Sequence, residues 1–216
     1  MDERSLTQSK ILQDRTAAVR TFRQDSSAAS TREMANTPHL FGKHSHKDVP
    51  HLIIPRVVSE RREFFTAAWM PPEVITSSAV FTAEDSDGFL FAVVSSSMFI
   101  TRQKTIGGRL KSDIPFSSTI VWNNLPLPPV DPGVRQQIIE AGQQVLAARD
   151  LFPSLSLADL YDPNRMPAEL RSAHEALDPL VDQAFGATLP CANNEERLQI
   201  LFTRYQELTA NEGNVR

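Results

Sequence analysis

The hydrophobic pattern of this chain changes near Pro132, and that change constrains the fold more than any other feature. Before it, apolar residues occur in short β-branched and aromatic runs bounded by turn residues, a pattern typical of strands. These runs are "HLIIPRVV", "EFFTAAWM", "VITSSAVFTA" and "FLFAVVSS". After it, apolar residues recur at helical spacing, most clearly in "VRQQIIEAGQQVLAARD", residues 167–185 and "NNEERLQILFTRYQEL". The pattern predicts an α+β protein in which an antiparallel or mixed sheet precedes a helical body.

The first segment, residues 6–34, has helical composition without Pro or Gly. Its apolar stripe is sparse and consists of Ile11, Leu12, Val19 and Phe22. A long helix with so little apolar surface is expected to link two bodies. The predicted layout is a linking helix and loop over residues 1–45, a small mixed α/β domain over 46–130 and a helical domain over 131–216.

Two oppositely charged residues, Lys111 and Asp113, lie between a predicted helix and a predicted strand. The helix, "SSMFITRQKTI", is expected to end at Gly107, and "SSTIVWNN" is expected to be a strand. In an extended chain, residues i and i+2 point the same way, ~7 Å apart. The pair is then either a solvated strand end with a weak ion pair, or a site for a ligand that carries both an acceptor and a donor.

The charge of the chain is uneven. The net charge of the 216 residues is −4, but the acidic excess lies in the C-terminal half. Residues 98–112 contain no acid and four basic residues, Arg102, Lys104, Arg109 and Lys111. A polyanion requires a basic face and not a basic total. A single cysteine, the absence of an apolar run approaching ~18 residues and the charged N-terminus favour a cytoplasmic protein without membrane contact.

Motifs of enzyme active sites are absent from the sequence. The chain has no GxGxxG, GxxxxGK[ST], HExxH or GxSxG. Cys191 lacks a convincing histidine partner, and His174 lies on an apolar helical stripe, where a hydrogen-bonded core histidine is expected. Four histidines cluster in a lysine-containing loop without cysteines, which favours a solvated or phosphate-touching loop over a metal site: His39, His44, His46 and His51. We expect no catalytic, cofactor-binding or metal-binding residue in this chain.

Two long stretches carry a family resemblance. They are "FLFAVVSSSMFITRQKTIGGRLKSDIPFSSTIVWNNLPLP" and "SLADLYDPNRMPAELRSAHEALDPLVDQAFG". Both resemble the MmeI-like, or Type IIL, restriction–modification enzymes, in which one polypeptide cuts and methylates DNA. The matching family motifs are close to G-G-R-[LI]-x-x-x-Y-R-Y-S, V-Y-N-N-F-P-W-P and L-Y-D-P-x-x-M-P. The resemblance covers about residues 20–186, with departures at Pro115, Phe116, Trp122 and Leu127.

The resemblance implies a part of such an enzyme. Full-length members carry an N-terminal nuclease domain and a Rossmann-like adenine methyltransferase with an N-P-P-[FY] motif, and this sequence contains neither. What remains resembles the target recognition domain and the C-terminal helical domain. The chain is therefore expected to be non-catalytic. Its expected partners are double-stranded DNA and the methyltransferase and nuclease domains of the same or a companion polypeptide, which would use S-adenosylmethionine and Mg.

The resemblance also gives the Lys-x-Asp pair a role. Guanine offers the acceptors O6 and N7 in the major groove, and its partner cytosine offers the N4 amino donor. Lys111 and Asp113 could thus recognise both halves of one G·C pair, and family base-reading residues lie at these variable positions after Gly-Gly-Arg. Five basic residues are candidates for phosphate contacts, which position a domain without reading sequence: Arg61, Arg62, Arg102, Lys104 and Arg109.

Two rival functions remain open at this point. One is an intact S-adenosylmethionine-dependent methyltransferase, which the missing glycine-rich loop and N-P-P-[FY] motif disfavour. The other is a protein–protein assembly module that docks through the acidic helical half and does not read DNA.

Overall fold

The structure is a computed structural model that describes residues 8–42, 46 and 48–213. The chain divides into two compact units, Met1–His46 and Lys47–Arg216. Leu6, where the sequence predicts the first helix to begin, and His44 of the histidine cluster lie outside the described residues.

The first unit consists of helix α1 (Lys10–Gln24), helix α2 (Ala29–Glu33) and a 3₁₀ turn (Met34–Asn36). The prediction of one continuous helix is wrong, because the chain leaves the helical conformation after α1. At the break, Ser26 Oγ accepts a hydrogen bond of 3.3 Å from Ala28 N. Short polar side chains compete in this way with helical backbone hydrogen bonds. No residue of α1 is buried, as the sparse apolar stripe predicts.

Arg23 links α1 to residues 34–40 by hydrogen bonds. Its guanidinium donates hydrogen bonds to the backbone oxygens of Met34, Thr37 and Leu40, at 2.8, 3.0 and 2.8 Å. One arginine therefore closes the first unit by binding carbonyl groups that would otherwise face water.

The second unit contains two small antiparallel sheets. Strands β1 (His51–Pro55), β3 (Ala68–Met70) and β4 (Val80–Glu84) form a three-stranded sheet in the order β3-β1-β4. Strands β2 (Val57–Val58) and β5 (Ile114–Pro115) form a two-stranded ribbon. The structure confirms the α+β class, although β1 to β4 are shorter than the apolar runs that predict them and no predicted run contains β5.

The run "FLFAVVSS" is helix α3 (Phe89–Ser95) and not the predicted strand. Asp85 determines where it begins, since its carboxylate accepts hydrogen bonds from Leu90 N at 3.1 Å and Phe91 N at 2.8 Å. Leu90 is the one residue of α3 that is not buried. A continuous apolar run fits a buried helix and a buried strand equally well, so the pattern could not decide between them.

The run "SSTIVWNN" is also not a strand; it forms a π-helical turn (Ser118–Trp122). Ser117 Oγ accepts a hydrogen bond of 3.1 Å from Ile120 N, and Asn124 Nδ2 donates one of 2.7 Å to Thr119 O. These polar side chains cap a helical turn, and their proximity in sequence explains why the strand prediction fails.

The helices that the sequence predicts in the second unit are present. They are α4 (Ser97–Ile106), which ends before Gly107 as predicted, α5 (Pro132–Asp150), the short α6 (Leu157–Leu160), α7 (Ala168–Ala184) and α8 (Asn194–Gly213). Asn193 caps the start of α8, because Glu196 N donates a hydrogen bond of 3.0 Å to Asn193 Oδ1. Within the described part of the chain, no helix combines the length and the apolar character needed to cross a membrane.

One hydrophobic core runs through the whole second unit. Phe91 and Ile100 before residue 130 belong to the same buried cluster as Ile138 and Leu177 after it. Helices α3 and α5 cross so closely that a Cβ at Gly142 would lie 2.7 Å from the Cβ of Ala92. The division predicted at residue 130 is therefore not a break in the core, and the domain boundary itself stays a prediction.

A buried polar network joins the helices to each other. Arg149 Nε donates to the hydroxyl oxygen of Tyr161 at 2.8 Å, and that hydroxyl lies 2.8 Å from His174 Nε2. His174 Nδ1 lies 2.9 Å from Ser95 O, and its ring stacks on Phe64. The predicted hydrogen-bonded core histidine is confirmed, and the network connects α5, α6 and α7 to the end of α3.

Candidate functional site

The residues Lys111 and Asp113 belong to a tight turn rather than to an extended strand. Leu110 N donates to Asp113 O at 2.8 Å, and Asp113 N donates to Leu110 O at 3.1 Å, so two residues span the turn. We call residues 110–113 the 110–113 turn. The argument from extended-chain spacing is therefore wrong, although the turn keeps the cation and the anion within one short loop.

Lys111 at the tip of this turn has an unusual backbone conformation. Its φ is 58°, and it is the one non-glycine residue with a positive φ in the described part of the chain. A positive φ at the first central residue is the feature of two-residue hairpin turns that match strand twist. Asn or Gly normally takes this position, so a lysine here carries conformational strain.

The side chains of the 110–113 turn are available to a ligand. Lys111 is exposed and Asp113 is partly exposed. Among the described residues, neither side chain has a salt-bridge or hydrogen-bond partner, and they do not pair with each other. The weak ion pair of the alternative interpretation is thus not formed.

The 110–113 turn is mounted on the core through the residues that follow it. Ile114 is fully buried, and Phe116 N donates a hydrogen bond of 2.8 Å to Arg56 O. Pro115 pairs with Val57 of β2 in the ribbon. A rigid mount of this kind limits how far the turn can move relative to the rest of the second unit.

A second turn lies at the same end of the ribbon. Because β2 and β5 are antiparallel and Val58 pairs with Ile114, the chain leaves β2 where it enters β5. The 59–62 turn follows at once, closed by a hydrogen bond of 3.1 Å from Arg62 N to Ser59 O. The fold therefore brings the exposed Arg61 to the end of the ribbon that carries Lys111 and Asp113.

Two more of the predicted basic residues lie near this end, and they differ in exposure and in their hydrogen bonds. Arg109 is exposed, and its NH1 donates to Lys104 O at 2.8 Å and Gly108 O at 2.9 Å. Arg62 is partly buried, and its NH1 donates to Ala158 O at 3.1 Å. Arg109 thus keeps its charge at the surface, whereas Arg62 also joins the 59–62 turn to α6.

The surroundings of Arg102 do not fit the phosphate contact predicted for it. It is only 6% exposed, its Nε donates to Val121 O at 3.3 Å, and its NH2 donates to Asn124 O. Burial lowers the pKa of this guanidinium. A side chain whose donors hold the end of the π-helical turn cannot present its charge to a phosphate, so Arg102 is a structural residue.

Lys104 is a weaker candidate for a phosphate contact than the sequence indicates. It is partly buried, and burial lowers the pKa of its ammonium group, against which the negative charges of Glu63 and Glu60 act. Glu63 also pairs with Arg171. An ammonium group in the field of two carboxylates is a poor partner for another anion.

The remaining reactive side chains among the described residues are possible metal ligands and the thiol of Cys191. No three His, Cys, Asp or Glu side chains of the described residues come together as metal ligands. Burial and the nearby Asp182 raise the pKa of the Cys191 thiol to about 11, so the thiol stays protonated at neutral pH. The expectation that this chain lacks catalytic and metal residues stays a prediction.

Sequence reasoning missed one residue beside the turn. Gln103 is fully buried in α4, and its Nε2 donates a hydrogen bond of 2.7 Å to Pro115 O. A single glutamine in a helical pattern carries no sequence signal. The contact between Gln103 and Pro115 becomes visible only in the fold, where β5 lies beside the end of α4.

Comparisons with known proteins match two family domains, in order, to residues 1–211. The model of the MmeI target recognition domain matches residues 1–129, and that of the MmeI C-terminal domain matches residues 130–211. DNA methyltransferase A of Bacillus subtilis (strain 168) is 31% identical over 200 residues, which cover 92% of this chain and 22% of that protein.

A solved structure gives the same result. The Type IIL restriction-modification enzyme MmeI, in complex with DNA, matches with a TM-score of 0.83 and 34% identity over 97% of this chain and 28% of that chain. The chain therefore spans between 22% and 28% of the length of these two relatives. Since both halves match in order and the fold is shared, this chain belongs to the MmeI family, of which it contains the target recognition domain and the C-terminal domain.

Proposed function

We propose that this chain is the sequence-recognition part of a DNA-modifying enzyme and reads base edges in the major groove through the 110–113 turn. One observation carries the proposal: on a turn attached to the core, Lys111 is exposed and Asp113 partly exposed, and neither side chain has a partner among the described residues. The MmeI structure to which the chain is similar is a complex with DNA, which supports DNA as the ligand.

The shape of the site suits the major groove. That groove is about 12 Å wide and admits an α-helix or a two-stranded ribbon. The β2–β5 ribbon ends in two tight turns, so it can approach the base edges with the 110–113 turn in front. Lys111 would donate to guanine O6 or N7, and Asp113 would accept from cytosine N4 of the same pair.

The flanking arginines would position the ribbon. Arg61 and Arg109 are exposed at or near the turns and would contact phosphates on either side of the groove. Arg62 could assist from its place beside α6. Phosphate contacts of this kind provide affinity that falls with salt, without sequence preference.

Catalysis would belong to other domains. The chain has no N-P-P-[FY] motif and no glycine-rich cofactor loop. We therefore assign methyl transfer and cleavage, with their S-adenosylmethionine and Mg, to methyltransferase and nuclease domains of the same or a companion polypeptide. Because its ligand would be DNA, the chain would act in the cytoplasm.

The test is whether the chain selects a sequence. The 216-residue protein is mixed at low salt with duplexes that contain a randomised stretch, and the bound duplexes are sequenced. We expect one motif to be enriched, and affinity to fall steeply as salt rises. Binding without an enriched motif, or no binding at low salt, would contradict the proposal.

A second candidate function is an assembly module, and one surface favours it. A groove of about 600 Å³ next to β3 is lined by Trp69, Met70, Phe152, Leu155 and Leu157, among others. Leu155 and Leu157 are 42% and 39% exposed. An apolar surface of this kind suits a protein partner, and it would be the main functional surface if the selection experiment gave no motif.

A further inference from the structure

Both ends of the segment that carries the 110–113 turn contact one buried side chain. We call residues 107–115 the 107–115 segment. At its end, Pro115 O accepts a hydrogen bond of 2.7 Å from Gln103 Nε2. At its start, Gly107 N donates to Gln103 O at 3.0 Å, and a Cβ on Gly107 would overlap the Gln103 side-chain amide.

We propose that Gln103 is a positioning residue for base recognition, a role that rests on the proposed function above. With its backbone oxygen and side-chain amide, it fixes the distance between the two ends of the 107–115 segment. That distance determines where Lys111 and Asp113 stand relative to the ribbon. Hydrogen bonds to base edges weaken steeply with errors in distance and angle, so discrimination depends on this placement.

The other contacts of the segment hold one end each. Ile114 anchors the outgoing end in the core, and Arg109 bonds only to carbonyls at the incoming end. Of these three residues, Gln103 alone bonds to both ends, through its backbone oxygen at Gly107 and its side-chain amide at Pro115. Because Gln103 belongs to helix α4, its bond to Pro115 O connects the 110–113 turn to the core.

The side-chain amide of Gln103 has one satisfied and one unsatisfied polar atom. Its Oε1 is buried and has no hydrogen-bond partner among the described residues. An unpaired buried acceptor is unfavourable, and methionine would fill a similar space without one. The amide is explained by what its Nε2 does, which is to hold Pro115 O.

The experiment compares Gln103→Met with a control from the same helix, Thr101→Val. Thr101 is 3% exposed and its hydroxyl has no partner among the described residues, so this variant tests burial without touching the 107–115 segment. Each protein is used in the randomised-duplex selection. We expect Gln103→Met to lower the preference at the base pair read by Lys111 and Asp113 by about five- to tenfold. The other positions of the motif, and Thr101→Val throughout, should stay as in the parent chain.

Amide hydrogen exchange provides a second readout without DNA. The amides of Leu110 and Asp113 bond across the turn, so they should exchange faster in Gln103→Met while the amides of helix α7 keep their rates. Gln103→Leu, which removes the amide and adds no hydrogen-bond donor, should behave like Gln103→Met.

The outcomes separate this inference from the proposed function. If Lys111→Ala loses the preference at one base pair but both Gln103 variants keep it, the positioning role is wrong and base recognition stands. If Lys111→Ala also keeps the preference, base recognition by the turn is wrong. Equal exchange rates in the turn would overturn the positioning role by themselves.

Discussion

At the scale of single residues, Lys111 combines a strained backbone with an exposed charge. A non-glycine residue at positive φ costs on the order of 1–2 kcal/mol, and such strain persists where the surrounding structure imposes it. Here the two hydrogen bonds of the 110–113 turn and the buried Ile114 impose it. The strain is understandable if the lysine side chain is needed at the tip of the turn.

A substitution of this lysine should therefore separate stability from recognition. Asparagine tolerates positive φ, so Lys111→Asn is expected to leave the free energy of unfolding unchanged or raise it by about 0.5–1 kcal/mol. The same variant should lose its preference at one base pair. Urea denaturation measures the first effect and duplex selection the second. Ser112→Asn is the control, since Ser112 lacks a positive φ. Destabilisation of the folded protein by more than about 1 kcal/mol in Lys111→Asn would contradict this view.

The arginines near the ribbon differ in burial, and their substitution should differ accordingly. Arg109→Ala removes an exposed charge, so the slope of log affinity against log salt should become shallower by about 0.9 while stability changes by less than about 0.5 kcal/mol. Arg102→Ala leaves the carbonyls of Val121 and Asn124 without their donors and should cost about 2–3 kcal/mol of stability. The salt slope of the folded Arg102→Ala protein should stay unchanged. A shallower slope in that variant would restore Arg102 as a phosphate contact.

At the scale of elements, the hydrogen bonds of the histidine network fit a neutral His174. Its Nδ1 donates to Ser95 O, which leaves Nε2 to accept from the Tyr161 hydroxyl, whose oxygen in turn accepts from Arg149. Burial, followed by the nearby charge of Arg149, lowers the pKa of His174 to about 3. Protonation would place a second N–H against the Tyr161 hydroxyl.

Stability should fall on acidification because of this residue. A histidine in the unfolded chain titrates near pH 6.5, so between about pH 6.5 and 3 the unfolded state binds one proton more than the folded state. The stabilisation is complete above pH 6.5 and decreases by about 1.4 kcal/mol per pH unit below it. In urea denaturation between about pH 6 and 4, the free energy of unfolding of the parent chain should therefore fall more steeply with acidification than that of His174→Gln. Identical slopes would mean that His174 titrates normally in the folded protein.

The elements also show what the sequence can predict and where it fails. Helix α7 was predictable because Leu170, Leu177 and Val181 recur at helical spacing and form one buried face. Helix α3 was not, because it is buried nearly all round and has no polar face to reveal its period. The 110–113 turn was missed because Lys-Ser lacks the Asn-Gly signal of a two-residue hairpin. Its charged residues were nevertheless found, whereas the burial of Arg102 depends on distant parts of the chain.

At the scale of the whole molecule, the core of the second unit contains residues from both matched family domains. Ile138 and Val145 of α5 are fully buried and belong to the same hydrophobic cluster as residues that precede position 130. The tight approach of Gly142 to Ala92 lies in the same contact. The target recognition domain therefore depends on the C-terminal helices for a large part of its core.

Truncation tests this dependence. A chain of residues 1–129 should lose the cooperative thermal transition that calorimetry detects, since it lacks every core residue that follows position 130. A chain of residues 47–216 is the matched control and should unfold cooperatively, because it keeps the whole second unit. A sharp transition in the 1–129 chain would indicate two independent cores.

The central claim, that Lys111 and Asp113 read one base pair, is tested most directly by exchanging their chemistry. The double variant Lys111→Glu with Asp113→Arg keeps an exposed turn but reverses donor and acceptor. Duplex selection with the parent and the double variant, followed by sequencing, measures the preferred base at every position. We predict that G·C becomes C·G at one position, a change in preference of ~1–3 kcal/mol, while the rest of the motif is preserved. An unchanged motif at full affinity would contradict the account and leave the Lys-x-Asp pair as a solvated turn.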